Sequence, residues 1–214
     1  MEFLLTLRRR GIGDQAVLRA MDEVPRERFV EAEFTDNAYA DQALPISCGQ
    51  TISQPYVVAY MTEQLALRPH LRVLEVGTGS GYQAAVLARL SRWVFSLERI
   101  ADLAKGAVHL LKALGVANVS VKVFDGSYGW SEHAPYDAIL VAAAAPEVPD
   151  PLVAQLAVGG RLVIPVGSAG RQRLLVVRKL PNGRTRTEDA GEVAYVPLVG
   201  RFGFAPAVKD DVPR

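Results

Sequence analysis

Arg72-Val-Leu-Glu-Val-Gly-Thr-Gly-Ser-Gly-Tyr82 is the stretch that decides the fold. Val73 to Val76 is an apolar, β-branched run with strand character, glycines follow at 77, 79 and 81, and an apolar helical run continues from Ala84 to Leu90. Strand, tight turn and helix start, in that order, open a nucleotide-binding βαβ unit. Glycine suits such a turn because it tolerates positive φ and lets a ligand come close to the backbone. The spacing is informative. Dinucleotide folds use G-x-G-x-x-G, whereas here the third glycine arrives one residue early, Tyr82 follows it, and Glu75 stands two residues before the first. A glycine-rich turn in some other α/β protein is the plain alternative.

Outward from the turn, the pattern alternates. Tyr82–Leu90 reads as a helix, Val94–Leu97 as a strand, and Ala101–Leu114 as a helix closed by Gly115 where a C-terminal cap is expected. Val119–Phe124 is a strand, and Ala138–Val141 has the unbroken apolar character of a buried parallel strand. Asp150-Pro151 looks like an N-cap and first helical residue opening a helix to Leu156, which Gly159-Gly160 ends before a strand at Leu162–Val166. Leu174–Arg178 and Val193–Val199 are the last strands, with the hairpin signal Asn182-Gly183 between them. Alternation that finishes in an antiparallel pair predicts an α/β chain: a Rossmann-like, doubly wound, mostly parallel sheet with helices on both faces.

Upstream, Asp14 caps a helix through Met21 that Val24-Pro25 ends, and a second helix runs from about Gln54 to Leu67, stopped by Pro69. Residues 26–52 between them show no sustained periodicity, and so long a loop in a compact domain is usually functional. The expected organisation is one domain over 1–205, made of an N-terminal helical addition at 1–69 and the Rossmann-like core at 70–205. A polar, proline-punctuated tail at 206–214 is expected to be mobile.

Half of the 214 residues are hydrophobic and 22% are charged, which allows a substantial core. The formal net charge of +1 leaves no electrostatic footprint for nucleic acid. Cys48 is the one cysteine, so no internal disulfide can form, and a reducing compartment is the simple reading. Phe3–Leu7 is too short an apolar run to span a bilayer, and Arg8–Arg10 lie on the wrong side of it for a signal peptide. A cytoplasmic monomer without membrane or nucleic-acid partners is expected. His70, His109 and His133 are scattered, so no metal site is expected, and they read as surface or capping residues.

In an open parallel sheet, ligands sit beyond the carboxyl ends of the strands, at the switch point. Three acids fall there. Glu75 lies inside the glycine-turn motif. Glu98 ends the second strand, where an acid takes ribose hydroxyls through charge-assisted hydrogen bonds. Asp125, followed by Gly126, ends the third and suits an adenine amino group. Each alone reads as a helix cap or a solvated loop charge; three in register with the turn point to a ligand. The E-x-G-x-G-x-G spacing is similar to that of S-adenosylmethionine-dependent methyltransferases and favours that class over a dinucleotide enzyme. A sulfonium cofactor also accounts for the missing phosphate ligand.

Further blocks follow in order. They are Val24-Pro25-Arg26-Glu27-Arg28-Phe29-Val30, Ala38-Tyr39-Ala40-Asp41, Leu44-Pro45-Ile46 and Gln50-Thr51-Ile52-Ser53-Gln54-Pro55 in the N-terminal region. Later come Tyr136-Asp137-Ala138-Ile139, Ala143-Ala144-Ala145-Pro146, the run from Gly159 to Gly167, and Val196-Pro197-Leu198-Val199. Over roughly residues 11–200 they resemble the protein-L-isoaspartate O-methyltransferase family. The resemblance implies Ser53 as the active-site serine. It implies Thr51, Ile52, Glu75, Gly77, Thr78, Gly79, Ser80, Gly81, Glu98, Asp125 and Gly126 around S-adenosyl-L-methionine, which leaves as S-adenosyl-L-homocysteine. A strand Tyr195-Val196-Pro197-Leu198, with Ser53, would hold the substrate backbone.

The substrate so implied is the free α-carboxylate of an L-isoaspartyl residue in a damaged or unfolded protein or peptide. Its methylation starts repair through a succinimide. With an unperturbed pKa near about 3.5, that carboxylate is already ionised at neutral pH and needs no general base. The matched motifs include neither histidine nor lysine, so the work is positioning and water exclusion. Two departures from the family pattern bear on the loop. Ser47 stands where a glycine is usual, which adds strain if the position needs positive φ, and Phe124 replaces the glycine before Asp125-Gly126.

A methyltransferase of the same fold for a small molecule or RNA is the second reading, and a binding module that methylates nothing is the third. The Gln50–Pro55 block argues against the second, and the intact Ser53, Glu98 and Asp125 against the third. Ser53 also reads as a plain N-cap of the helix after it. Cys48 has no nearby histidine and reads as an incidental thiol, and Trp130 either walls the cofactor or fills the core.

Overall fold

The computed structural model describes residues 2–168 and 170–206. Its helices are α1 (Glu2–Arg9), α2 (Gln15–Glu23), α3 (Pro55–Leu65), α4 (Tyr82–Leu90), α5 (Ala101–Ala113) and α6 (Asp150–Gln155). Its strands are β1 (Leu44–Ile46), β2 (Gln50–Ile52), β3 (Arg72–Val76), β4 (Trp93–Glu98), β5 (Val119–Val123), β6 (Tyr136–Val141), β7 (Leu156–Ser168), β8 (Arg171–Lys179) and β9 (Thr185–Val193).

Seven strands form one sheet in the order β5-β4-β3-β6-β7-β8-β9. Pairing is parallel from β5 across to β7 and antiparallel along β7-β8-β9. The chain steps from β3 outward to β4 and β5, then returns to β6 on the other side of β3. A crevice therefore opens at the carboxyl end of β3. β3 is central because both its faces are dry. Val73 packs into the layer formed with α2, α3 and α4, and Leu74 and Val76 into the layer with α6 and Tyr136. α4 is buried along almost its whole length and fits directly behind the turn. Gly77 (φ 95°) and Gly81 (φ 92°) take the left-handed conformation the turn requires. At Gly81 a Cβ would also crowd the Ala107 Cβ of α5 at 3.3 Å.

The α/β class, the parallel order, the antiparallel end and the N-terminal helices stand as expected. Other details differ, each for a physical reason. α1 is a helix in its own right, anchored by buried Leu7. The aperiodic 26–52 region holds 3₁₀ turns and the β1–β2 hairpin, in which Leu44 pairs with Ile52. α3 stops at Leu65 because Ala66 turns left-handed. The N-cap of α6 is Pro149 rather than Asp150. Gly159-Gly160 does not end a helix. β7 begins at Leu156 and runs through both glycines, which lie where the register slips between Tyr136↔Leu156 and Ala138↔Arg161. A Cβ at Gly160 would sit 2.8 Å from the Asp137 carbonyl oxygen, so the bulge needs glycine there.

The hairpin strand after Asn182-Gly183 is Thr185–Val193, not Val193–Val199. Segment 195–198 is extended but forms no regular strand. It bridges to the chain after β6, with the Ala144 amide donating to Val196 (2.8 Å) and the Leu198 amide to Ala144 (2.7 Å). The left-handed residues of the β1–β2 loop are Cys48 (φ 59°) and Gly49 (φ 67°), so Ser47 carries no positive-φ strain. Of the tail expected at 206–214, residues 207–214 lie outside the described residues. Among the described residues no helix is long and apolar enough to cross a membrane.

Candidate active site

The carboxyl ends of β3, β4 and β6 face the segment that follows the β1–β2 hairpin. Between them lies an open cleft of about 830 Å³, counted out to bulk solvent. The glycine turn forms its floor, with Gly77, Thr78, Gly79 and Ser80 all lining it. Glu98 reaches the cleft from the end of β4 and is only 7% exposed. Its Oε2 accepts from the Gly79 amide and its Oε1 from the Ile100 amide, both at 2.9 Å. Two backbone donors fix this carboxylate and leave each oxygen a further lone pair. Gly126 lines the cleft beside it, and a Cβ there would overlap Val76 Cγ1, so no larger residue fits. Thr51, Ile52 and Ser53 form the facing wall, and Val196, Pro197 and Leu198 the rim.

Four expected site residues are not among those that line the cleft. Glu75 is fully buried beneath the turn. Its Oε2 accepts from Ser96 Oγ, which in turn lies 2.6 Å from Thr78 Oγ1, while its Oε1 has no partner among the described residues. Burial pushes this carboxyl up to about 8, with Glu98 nearby adding to the rise. Gly81 packs on α5.

Asp125 lines an adjoining opening that shares Arg99 and Val199 with the cleft, and its carboxylate is engaged by the backbone. Oδ1 caps the turn at Gly126–Tyr128 through the Ser127 amide (2.9 Å) and hydroxyl (2.7 Å), and Oδ2 accepts from the Arg201 amide (2.8 Å). Tyr195 is clamped by Gln172, which accepts from its amide (2.7 Å) and donates to its carbonyl (2.9 Å). Its phenol points to Met61 Sδ (2.9 Å) with the Ser53 side chain beside it, and burial pushes the phenol up to about 12.

Ser53 is not the N-cap of α3. Gln54 holds that position, and Asp41 caps the helix from a distance, its Oδ1 accepting from the Tyr56 amide (3.0 Å). The side chain of Ser53 is thereby released from capping, and its carbonyl accepts from Arg26 Nη2 (2.7 Å). Cys48 is exposed at the loop tip. Trp130 and His133 both pack on Phe95, with ring centroids 5.7 Å and 4.3 Å from it, so His133 is a packing residue and Trp130 does not line the cleft.

Several lining residues escaped the sequence reading. Ile100, Ala142 and Ala143 follow the ends of β4 and β6, where the strand-end rule could have found them. Gln83 lies one residue into α4 beyond the quoted turn, and its amide donates to Thr62 Oγ1 (3.0 Å). Nothing in the sequence signals Gln172 as the clamp on Tyr195.

The acid-bearing cleft suits a cofactor without phosphate. Its floor is a glycine turn, its walls are largely apolar, and Arg99 is the one basic side chain among its lining residues. Fold and cleft together define the class of S-adenosylmethionine-dependent methyltransferases. The family model for protein-L-isoaspartate(D-aspartate) O-methyltransferase matches residues 1–203.

A protein-L-isoaspartate O-methyltransferase of Parvibaculum lavamentivorans is 54% identical over 93% of this chain and 90% of its own length. A second, of Pelobacter propionicus, is 57% identical over 91% of this chain and 87% of its own. The crystal structure of a Plasmodium falciparum protein described as a protein-L-isoaspartate O-methyltransferase, in complex with S-adenosyl-L-homocysteine, superposes with a TM-score of 0.80. It is 30% identical and covers 91% of this chain and 95% of that one. The chain belongs to the protein-L-isoaspartate(D-aspartate) O-methyltransferase family, whose reaction moves the methyl group of S-adenosylmethionine to an L-isoaspartyl carboxylate.

Proposed function

We propose a division of labour within this site for the repair of damaged or unfolded proteins and peptides. Glu98 takes the ribose hydroxyls of the cofactor; Gly77, Thr78, Gly79 and Ser80 cradle it; Gly126 gives it room; and Thr51 and Ile52 close over it. Bound S-adenosylmethionine supplies an electrophilic methyl group on a sulfonium. Ser53 donates a hydrogen bond to the substrate carboxylate and orients it, while the extended segment Val196–Leu198 guides the peptide backbone. Glu75, Gly81, Asp125 and Tyr195 hold the turn and the rim in place. No proton need be removed, because the attacking carboxylate is already ionised at neutral pH. The carbonyl of the resulting methyl ester is a better electrophile than that of a carboxylate, so the next amide nitrogen attacks it, expels methanol and closes a succinimide, which water opens in part to normal aspartate.

The observation that carries this reading is Ser53, which lines the cleft although another residue caps the helix after it. Its hydroxyl has no capping duty, and its neighbour is the Tyr195 phenol, from which it can turn to a substrate carboxylate. Ser53→Ala should therefore lower kcat/KM for an isoaspartyl peptide by about 10- to 100-fold, the scale of about 1.5–3 kcal/mol for a hydrogen bond to a charged group. Melting temperature and S-adenosyl-L-homocysteine affinity should stay close to wild type. Unchanged turnover per folded molecule would remove Ser53 from the mechanism.

A cytoplasmic monomer is part of the same proposal. The single Cys48 suits a reducing compartment. The edge strand β9 carries Arg186, Glu188, Asp189 and Glu192, charges that discourage pairing with another copy.

A further inference from the structure

Arg26 is fully buried, with 0% exposure, in the 3₁₀ turn Arg26–Phe29. Its guanidinium makes no ion pair with a carboxylate among the described residues. Instead Nε donates to the Ala38 carbonyl and Nη2 to the Ser53 carbonyl, both at 2.7 Å. The plane sits over the Tyr82 ring, 4.7 Å from its centroid, and Nη1 has no hydrogen-bond partner among the described residues. A buried charge without a counter-ion is costly to keep, and a neutral side chain of similar shape would serve packing alone.

Both carbonyls belong to loops that no sheet ladder holds. The Ser53 carbonyl lies in the peptide plane that leads into α3, so its position governs where the Ser53 hydroxyl points. Tyr82, under the guanidinium, lines the same cleft. One planar, two-armed donor thus ties Ser53 to the Ala38 loop and to the helix behind the glycine turn. Lysine cannot reproduce that geometry with a single ammonium.

We infer that Arg26 is a positioning residue for methyl transfer, acting by fixing the Ser53 peptide so that its hydroxyl meets the substrate carboxylate. The inference rests on the proposed role of Ser53. Arg26 touches neither substrate nor cofactor, so its loss should act on turnover and spare the floor of the cleft.

The test uses the full chain carrying Arg26→Lys, with Arg26→Gln alongside so that it does not depend on one variant folding. Melting temperature, S-adenosyl-L-homocysteine affinity by calorimetry, and kcat and KM on an isoaspartyl peptide are measured for both. Each variant is then combined with Ser53→Ala. The expected result is a fall in kcat of about tenfold or more, cofactor affinity within about threefold of wild type, and double variants no worse than Ser53→Ala by more than about twofold, because the two residues act as one unit.

Wild-type kcat in folded Arg26 variants, a loss of cofactor affinity parallel to the loss of kcat, or additive effects with Ser53→Ala would each overturn the inference. A silent Ser53→Ala would overturn the role of the serine, and this inference with it. A damaging Ser53→Ala beside silent Arg26 variants would overturn the inference alone.

Discussion

The glycine turn at the carboxyl end of β3 and the β1–β2 hairpin face the same cleft, but they are held on different terms. The turn is tied from below and from the side. Thr78 reaches Ser96 and through it Glu75, Gly77 donates to the Leu97 carbonyl at 2.8 Å, and Gly79 donates to Glu98. The hairpin buries Leu44, Ile46 and Ile52, while its tip at Ser47–Gly49 stays out of the core and its continuation at Ser53 is fixed through Arg26. A ligand-binding floor gains from groups already in place, because nothing has to reorganise when the cofactor arrives. A wall that must admit a peptide cannot be fixed in the same way.

The comparison breaks most visibly at Glu98. Glu98→Ala should weaken S-adenosyl-L-homocysteine binding by about 1.5–3 kcal/mol, from the lost ribose contact and the loosened Gly79 and Ile100 amides. Calorimetry on the folded variant measures this, and unchanged affinity would mean that the floor does not hold the ribose. Glu75 offers the next largest effect. Its carboxyl titrates near 8 in the fold against 4.5 for a free side chain. As pH rises, the unfolded chain gives up this proton first. The contribution of Glu75 to stability is therefore complete below about pH 4.5 and is lost as pH climbs through 8. The slope in that window is at most about 1.4 kcal/mol per pH unit. Urea unfolding at three pH values should show Glu75→Gln flattening it, and parallel slopes in the two proteins would contradict the buried, protonated carboxyl.

The hairpin offers the smallest effect. Cys48 pays the left-handed penalty in an exposed tip, and asparagine tolerates that conformation better. Cys48→Asn should raise stability by less than about 1 kcal/mol and leave kcat/KM unchanged. A drop in kcat/KM would show that the tip takes part in substrate binding.

Most of the floor was legible in the sequence, and least of the hairpin. β3, α4 and β4 can be read to within a residue because burial leaves short, mostly apolar runs, and the glycines at 77, 79 and 81 mark where β3 ends and α4 begins. β9 could not be read so. Thr-Arg-Thr-Glu-Asp-Ala-Gly-Glu-Val is mostly polar with no apolar run, and its order comes from the ladder to β8 and from ion pairs across it, Arg173 with Asp189 and Glu192 and Arg178 with Glu188. The strand-end rule located all three acids, yet an acid at a strand end has the same letter whether it faces a ligand or caps a turn. Glu98 lines the cleft, Asp125 caps Gly126–Tyr128, and Glu75 points into the core. At Ser53 the ambiguity ran the other way. A serine before a helix looks like its cap, and only the fold shows that Asp41, distant in sequence, does that work. The 26–52 region carries its information in the motif resemblance, because 3₁₀ turns and a three-residue hairpin leave no periodicity to find.

The measurement that bears most directly on the whole account is transfer of a radiolabelled methyl group to an isoaspartyl peptide and to its normal aspartyl twin, side by side. The cleft as described should methylate the isoaspartyl peptide in proportion to enzyme and leave the twin at background, with product peptide passing on to succinimide. Equal labelling of the two peptides, or labelling of neither by a protein that binds S-adenosyl-L-homocysteine, would contradict it.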